Sequence, residues 1–396
     1  MKNQSAGTPR AMRNLNELLI LNEIIGGGPQ SRADLSRQTG LSKPTVSSAI
    51  THLIGRGLVR ETGRADNSQG RKATWLEFNT HCFYVAGVDL GATRIRMALA
   101  DMGGQIVQYQ QLAMPEGSLT DIEFQTFLVE SLEGLLKEYG VAWDRIKAAA
   151  IGIPGVVDPA GGEVSRLVSP LKGLETTLEL ANLTRLFPVP VITENDVNLA
   201  ALAEHSLTGD AAGGGGSLLY FSLGEGTGGG IIIDGAIYRG LGGGAGELAN
   251  MRLSAGRLED VLSAKGLLRL TSAITGEQDK KPDSYSSEPG ISPERLFEEV
   301  RKGDPVAQSV MDVYSGMLAE ALTNICAVIA PDSIVLGGGL GSNGDVLLHR
   351  LEARLTGLDR KPRLAVSCHR ERDVVTGAIQ IAVQAAFRRL REEWTL

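Results

Sequence analysis

The chain has 396 residues, 42% of them hydrophobic and 21% charged, with a formal net charge of −7. That length supplies more than one core, so two or three domains are expected. Three widely separated cysteines, Cys82, Cys326 and Cys368, exclude a disulfide framework and offer no Cys-x-x-Cys pair for zinc. Met1 to Thr8 is polar and no apolar run approaches about 18 residues, so no secretion signal or membrane span is read and a cytoplasmic protein is expected. The charge is unevenly spread. Residues 1–80 hold 11 Lys and Arg against 6 Asp and Glu, a net of +5, which leaves −12 on the remainder. A basic head on an acidic body points to a polyanionic partner for the head alone.

Asn14 to Ile25 reads as a helix with Leu15, Leu18, Leu19 and Ile25 on one face, ended by Gly26-Gly-Gly-Pro29. Ser31 caps a short second helix that carries Arg32 in its first turn and is closed by Gly40. Ser42 caps a third, in which Pro44 suits the start and Val46, Ile50, Leu53 and Ile54 fall at i, i+4, i+7 and i+8. This is helix-turn-helix order. The polar side of the third helix carries Thr45, Ser48, Thr51 and His52, with Ser42 and Lys43 at its N-terminal end. Such groups reach phosphates and base edges when a helix end enters the major groove, and they equally suit a solvated face. The next segment favours double-stranded DNA: Leu58 to Thr62 and Arg71 to Phe78 read as two strands around a basic tip, a wing whose Arg71 and Lys72 touch the backbone or minor groove. A protein-binding winged helix is the alternative.

Val85 to Ala100 reads as a hairpin in which Ile95, Met97 and Leu99 alternate with Arg94, Arg96 and Ala98. At its bend, Asp89, Gly91 and Thr93 offer a carboxylate for a hydrated magnesium ion, a close backbone approach and a hydroxyl for a phosphate oxygen. A plain turn uses the same residue types. A second hairpin, Leu218 to Ile233, repeats the plan with Gly226, Thr227 and Gly228 at its turn. Between them, Asp121 to Tyr139 is a helix with Ile122, Leu128, Leu132, Leu135 and Leu136 facing a core, and Lys147 to Asp158 is a buried strand running into a Gly-Pro turn. A further strand ends in Glu194, Asn195, Asp196 and Asn198, where open α/β sheets bind ligands. Thr275 to Pro293 is a polar loop, Pro305 to Ala330 a long helix, and Asp332 to Leu340 a buried strand whose Gly337, Gly338 and Gly339 would bed a flat base or ribose. Val374 to Glu393 is a last helix that returns to the first lobe.

In this order, Ser31 to Val59, Asp89-Leu-Gly-Ala-Thr93, Gly152-Ile-Pro-Gly155, Glu194-Asn-Asp-Val-Asn198, Gly224 to Gly230, Gly246-Glu-Leu248 and Leu336-Gly-Gly-Gly339 resemble the ROK family (repressors, open reading frames, kinases). Length and winged head resemble its NagC/Mlc/XylR-type regulators. The resemblance implies an α/β fold: an N-terminal winged helix-turn-helix over residues 1–80, then a two-lobed actin-like (ribonuclease-H-like) body over 81–396. Its first lobe would take about 81–196 plus the helix 374–396, and its second about 197–373. It implies a homodimer or homotetramer, a sugar or phosphosugar in the cleft, and sugar contacts at Asn195, Asp196, Glu247 and Glu259. Glu259 reads equally as a helix-start carboxylate.

In the family's kinases, the residue matching Asp196 takes the proton from the sugar hydroxyl. Two hypotheses therefore stand. One is a sugar-responsive DNA-binding regulator, a repressor of carbohydrate-metabolism genes. The other is an ATP-dependent sugar kinase for a hexose or N-acetylhexosamine, with ATP and Mg2+ as cofactors, carrying a DNA-binding head. Three departures bear on the choice. Asn250 stands where members carry a zinc-ligating His, and it keeps only a hydrogen-bonding role toward the sugar. Met251 to Glu259 is short and has no cysteine, which speaks against structural zinc. Glu225 occupies the phosphate hairpin where the kinases carry a small hydroxyl, and a carboxylate there repels a triphosphate unless a cation intervenes; the alternative is that Glu225 turns outward.

Overall fold

The computed structural model describes residues 8–64, 74–115, 117, 119–169, 171–209, 216–276, 292–358 and 360–395. In the head, α1 (Pro9–Gly27), α2 (Arg32–Thr39) and α3 (Lys43–Gly55) begin at side-chain caps, Thr8, Ser31 and Ser42, each accepting a backbone N–H of the first turn. Ser31 and Asp34 form a full capping box, and Gly40 closes α2 at φ 70°. Strands β1 (Val59–Arg64) and β2 (Thr74–Phe78) pair antiparallel as the wing. Arg71 and Lys72 lie outside the described residues.

The face of α1 differs from the expected one. Glu17, Ile20, Leu21 and Ile24 are buried, whereas Leu15 is 55% and Leu19 40% exposed. Two apolar stripes run side by side on this helix, and the positions of α3 and of the last helix decide which is covered.

The first lobe is a sheet of β3 (Tyr84–Leu90), β4 (Arg94–Asp101), β5 (Ile106–Ala113), β6 (Ile146–Ile153) and β7 (Val191–Asn195), in the order β5-β4-β3-β6-β7. The first three strands form an antiparallel meander, while β6 and β7 extend it in parallel. Helix α4 (Asp121–Tyr139), started by the capping box of Thr120 and Glu123, covers one face with Phe124, Leu128, Leu132, Leu135 and Leu136. Ile122, expected in that core, is 75% exposed. It precedes Phe124 by two residues and so points roughly 200° away from it around the helix. Strand β6 ends at Ile153 and enters the expected turn at Pro154-Gly155, where proline's missing N–H cannot continue a parallel ladder.

Helix α5 (Asp196–Gly209) leaves β7 directly and leads to the second lobe. Its sheet runs β10-β9-β8-β11-β12, built from β8 (Leu218–Leu223), β9 (Thr227–Ile233), β10 (Ala236–Ile237), β11 (Ser333–Gly337) and β12 (Arg363–Val366). Helix α6 (Leu258–Leu262) follows the glycine-rich loop, and the long α7 (Pro305–Ile329) centres this lobe's core through Val310, Met311, Tyr314, Leu318 and Leu322.

The last helix, α8 (Asp373–Thr395), lies on the face of the first sheet opposite α4. That face is floored by small residues, Ala98, Ala100, Ala148 and Ala150, and they join Val375, Ala378 and Ile379 of α8 in one cluster. The same cluster continues into the head's Ile20, Ile24, Leu53 and Leu76. On its other side α8 packs along α5, which in turn covers β8 and β9. The approach is close enough that a Cβ on Gly377 would lie 2.0 Å from the Leu199 carbonyl oxygen. Backbone cannot yield as a flexible side chain does. Gly377→Ala is therefore expected to cost at least about 1–3 kcal/mol, in the range of core overpacking, and to lower the melting temperature in a thermal-shift measurement.

Candidate functional site

Three carboxylates from distant parts of the sequence converge where the lobes meet. Asp89 is the sixth residue of β3, on the sheet face that also carries Val85 and faces α8. Asp196 opens α5 and Asp373 opens α8. Arg96 is the cross-strand partner of Asp89, and its Nη1 donates to Asp89 Oδ2 at 3.0 Å. Burial nevertheless pushes the Asp89 carboxyl up to about 6, against the pull of Arg96 and with the push of Asp373's charge. Asp196 keeps part of its surface open to the cleft, yet burial first and the charge of Asp89 second push it up to about 7. Asp373 is raised by burial and receives a hydrogen bond from the Tyr220 hydroxyl of β8, which opposes that shift.

Asp196 Oδ1 accepts the Val197 N–H at 2.9 Å and is 3.2 Å from Asn195 Nδ2. Asn195 Nδ2 also reaches the Gly155 carbonyl at 3.0 Å, so the Gly152-Ile-Pro-Gly155 turn orients this amide. The buried Glu194 below it is held by two Arg239 nitrogens, at 2.7 and 2.6 Å, and by Asn198 Nδ2 at 3.0 Å. Glu247 is half-buried and lies 3.5 Å from Arg166 Nη1, while Asn250 is exposed just beyond it. The cleft thus presents ionisable and amide oxygens beside two guanidinium groups, a lining that can accept from and donate to vicinal hydroxyls.

The second and third glycine-rich turns approach each other in the second lobe. The Gly224 Cα is close enough to the Gly339 amide that a Cβ would lie 3.8 Å from it. Glu259, at the start of α6, accepts both the Thr227 N–H at 2.8 Å and the Thr227 hydroxyl at 2.5 Å. Sequence reading assigned these two residues to different ligands, and the fold joins them to each other. Glu225 is exposed. The glycines of the third turn have a packing cause: a Cβ on Gly337 would collide with the Tyr220 hydroxyl, and one on Gly338 would lie 2.4 Å from the Leu223 carbonyl. With Asp89 neutralised by Arg96 and the Thr227 donors given to Glu259, the residues arranged here do not fit a magnesium-bound triphosphate. Gly91, Thr93, Gly226 and Gly228 add no charge to this set.

The segment lacking the cysteine motif is clipped by hydrogen bonds instead. Arg252–Leu253 pairs with Gly256–Arg257, and the Ser254 N–H and hydroxyl donate to the two Glu320 oxygens of α7 at 2.7 and 2.6 Å. These bonds hold the Glu320 carboxyl below its usual range. On the head, Ser42, Lys43, Ser48 and Thr51 are exposed along α3, while Thr45 is half-buried with its hydroxyl 2.8 Å from that of Ser42. Arg32 is paired with Glu61 of β1 at 2.8 Å.

The ROK family pattern matches residues 85–385, and the MarR family pattern matches residues 13–71. The chain belongs to the ROK family. A xylose repressor of Caldicellulosiruptor bescii is 25% identical over 394 residues, covering 95% of this chain and 97% of that protein. The DNA-binding transcriptional dual regulator NagC of Escherichia coli is 24% identical over 359 residues, covering 88% and 86%. A solved ROK family transcriptional regulator, a homologue of the E. coli Mlc protein, superposes with a TM-score of 0.75 at 22% identity, over 97% of this chain and 99% of that one. The likeness shows a shared fold, a winged head on a two-lobed ROK body.

Within this ROK body, Arg96, Asp373, Tyr220, Arg166 and Arg239 are site residues that sequence reasoning missed. Arg96 was findable, because a tight turn after Leu90 sets it opposite Asp89. The others arrive through long-range packing and leave no local signal. The raised carboxyls carry a pH signature. Unfolded, Asp196 ionises near 3.8, so between that value and about 7 the unfolded chain releases a proton that the folded chain keeps. Stability from this group therefore falls as pH rises through the window and levels off above it. Asp196→Asn is expected to raise the melting temperature of the sugar-free protein more at pH 8 than at pH 5; an equal gain at both would show that Asp196 is not perturbed.

Proposed function

We propose that the chain is a sugar-responsive, DNA-binding transcriptional repressor of carbohydrate-metabolism genes. The observation that carries this reading is the fusion of a capped winged helix to a carboxylate- and amide-lined cleft through one continuous core. A catalyst of sugar phosphorylation has no use for such a head. The xylose repressor and NagC are relatives over nearly their whole length, which supports the same assignment.

In this reading Asn195, Asp196 and Glu247 contact sugar hydroxyls, with Asn250 at the rim, and Glu259 serves as the tie to Thr227. Residues 1–80 form the DNA-binding unit and 81–396 the effector unit, with the operator contacted by Ser42, Lys43, Thr45, Ser48 and Thr51, and by Arg32, Arg71 and Lys72 from the wing side. Because paired heads read paired half-sites, the working unit is a dimer or tetramer. Effector binding changes operator affinity by favouring one arrangement of the heads, and a coupling of about 1–3 kcal/mol suffices for a roughly 5–150-fold response.

Fluorescence anisotropy of the full chain on duplexes enriched from a random library tests the head. Lys43→Ala is expected to weaken binding to all sequences and to reduce the slope of log K against log salt by about 0.9 for one lost phosphate contact. An unchanged slope would remove Lys43 from the interface. For the body, xylose, glucose and N-acetylglucosamine are each offered to wild type and to Glu247→Gln. One sugar should raise the wild-type melting temperature, and the substitution should abolish that shift. Phosphorylation of any of these sugars with ATP, lost in Asp196→Asn, would replace the regulator with a kinase.

A further inference from the structure

Helix α8 touches the cleft, both lobes and the head. At about 1.5 Å per residue its 23 residues span about 34 Å. At its first residue, Asp373 is tied to Tyr220 of the second lobe. The segment just before it is fixed to α5, where Glu204 accepts the Ser367 hydroxyl at 2.6 Å and the Cys368 N–H at 2.9 Å. Its middle lies on the first sheet through Val375 and Ile379. A change in the angle between the lobes must therefore move α8 against one sheet or the other.

The far end of α8 meets α1, which packs against α3, and Arg56 at the end of α3. Trp394 Nε1 donates to Glu17 Oε2 of α1 at 3.2 Å, and the same oxygen is 2.8 Å from His52 Nδ1 of α3. The guanidinium of Arg56, directly after α3, stacks 3.9 Å from the centre of the Trp394 ring. Arg391 adds a bond to Asn22 of α1 at 3.1 Å. Glu17 is 1% exposed, and its second oxygen is buried with no hydrogen-bond partner among the described residues. A buried carboxylate served on one oxygen only, by donors from two separate units, is held under strict geometric conditions.

We propose that α8 is the rod that couples the cleft to the head, and that Glu17, His52 and Trp394 form the latch that fixes the orientation of α3. The proposal rests on the repressor reading. Sugar bound between the lobes shifts α8, the indole and the imidazole can no longer share one oxygen of Glu17, and α3 leaves its present orientation. The latch touches no sugar; because bound sugar has to break it, its loss favours sugar binding rather than weakening it.

The test uses the full-length protein, a library-selected duplex, and D-xylose and N-acetyl-D-glucosamine as probes. Glu17→Gln and Trp394→Phe keep shape while removing the charge or the indole donor. Wild type should change its duplex affinity about fivefold or more with the sugar it binds, and in both variants that ratio should fall to within about twofold of unity. Sugar affinity by calorimetry should be equal to or tighter than that of wild type, and a loss of sugar binding in both variants would overturn the proposal. Variants that bind sugar and retain the full wild-type ratio would overturn the latch and leave the repressor reading intact. A wild type whose duplex affinity ignores both sugars would remove that reading and the latch with it. A second measurement does not depend on the latch variants. In a Trp75→Phe, Trp143→Phe protein the remaining indole, Trp394, should shift its emission on adding the bound sugar, and an unmoved spectrum would overturn the proposal.

Discussion

The close approach of α8 to α5 and to the first sheet is the constraint on which the remaining architecture depends. It is possible because Ala98, Ala100, Ala148 and Ala150 leave a shallow floor and because Gly377 has no Cβ to strike the Leu199 carbonyl. Once α8 lies in that groove, its N-terminus is delivered to the carboxylate cleft and its C-terminus to the head. Burying one large apolar side chain contributes about 1.5–3 kcal/mol, so Leu390 and Trp394 together outweigh any single polar tie at the head. Packing thus sets where the head sits, while the Glu17 bonds set its angle.

Electrostatics at the cleft is a contest that burial wins. Arg96 and the Tyr220 hydroxyl both stabilise ionised carboxylates, yet Asp89, Asp196 and Asp373 all end with raised affinity for protons. Three such groups in one place cannot all ionise without water or a cation. With its affinity for a proton raised by burial and by Asp89, the Asp196 carboxyl can both give and take a hydrogen bond. A sugar hydroxyl also does both, which is the chemical match on which the proposed sugar contact at Asp196 rests.

Much of the fold was legible because it is encoded locally. Ser31, Ser42 and Thr120 cap helices within three residues of themselves, and the alternation of Ile95, Met97 and Leu99 with Arg96 and Ala98 names the two faces of β4. What failed depended on a partner far away in the sequence. Leu15 and Leu19 satisfy helical periodicity as well as Ile20 and Ile24 do, and only the placement of α3 and α8 separates them. Nothing local marks Glu17 for burial; His52 and Trp394 reach it from 35 and 377 residues away. Of the site, Asn195, Asp196 and Glu247 follow from strand ends and motif order. Asp373, Arg239 and Arg166 enter through tertiary contacts that no spacing announces.

The glycine hairpins illustrate how a nucleotide-type scaffold can persist with its donors committed elsewhere. To enter, a triphosphate would have to displace the Glu259 carboxylate from the Thr227 N–H and hydroxyl, or else lie beside it. Two unit negative charges about 4 Å apart cost about 4 kcal/mol at an effective dielectric constant of 20, before the loss of two hydrogen bonds is counted. A magnesium ion that offset that repulsion through Asp89 would first have to displace Arg96. Each requirement alone is modest. Their sum falls on the same ligand and is absent for a neutral sugar, which needs only the hydroxyl-matching groups at the end of β7. On the proposed reading, the Glu259–Thr227 and Asp89–Arg96 ties weigh against a nucleotide and leave a neutral sugar unopposed.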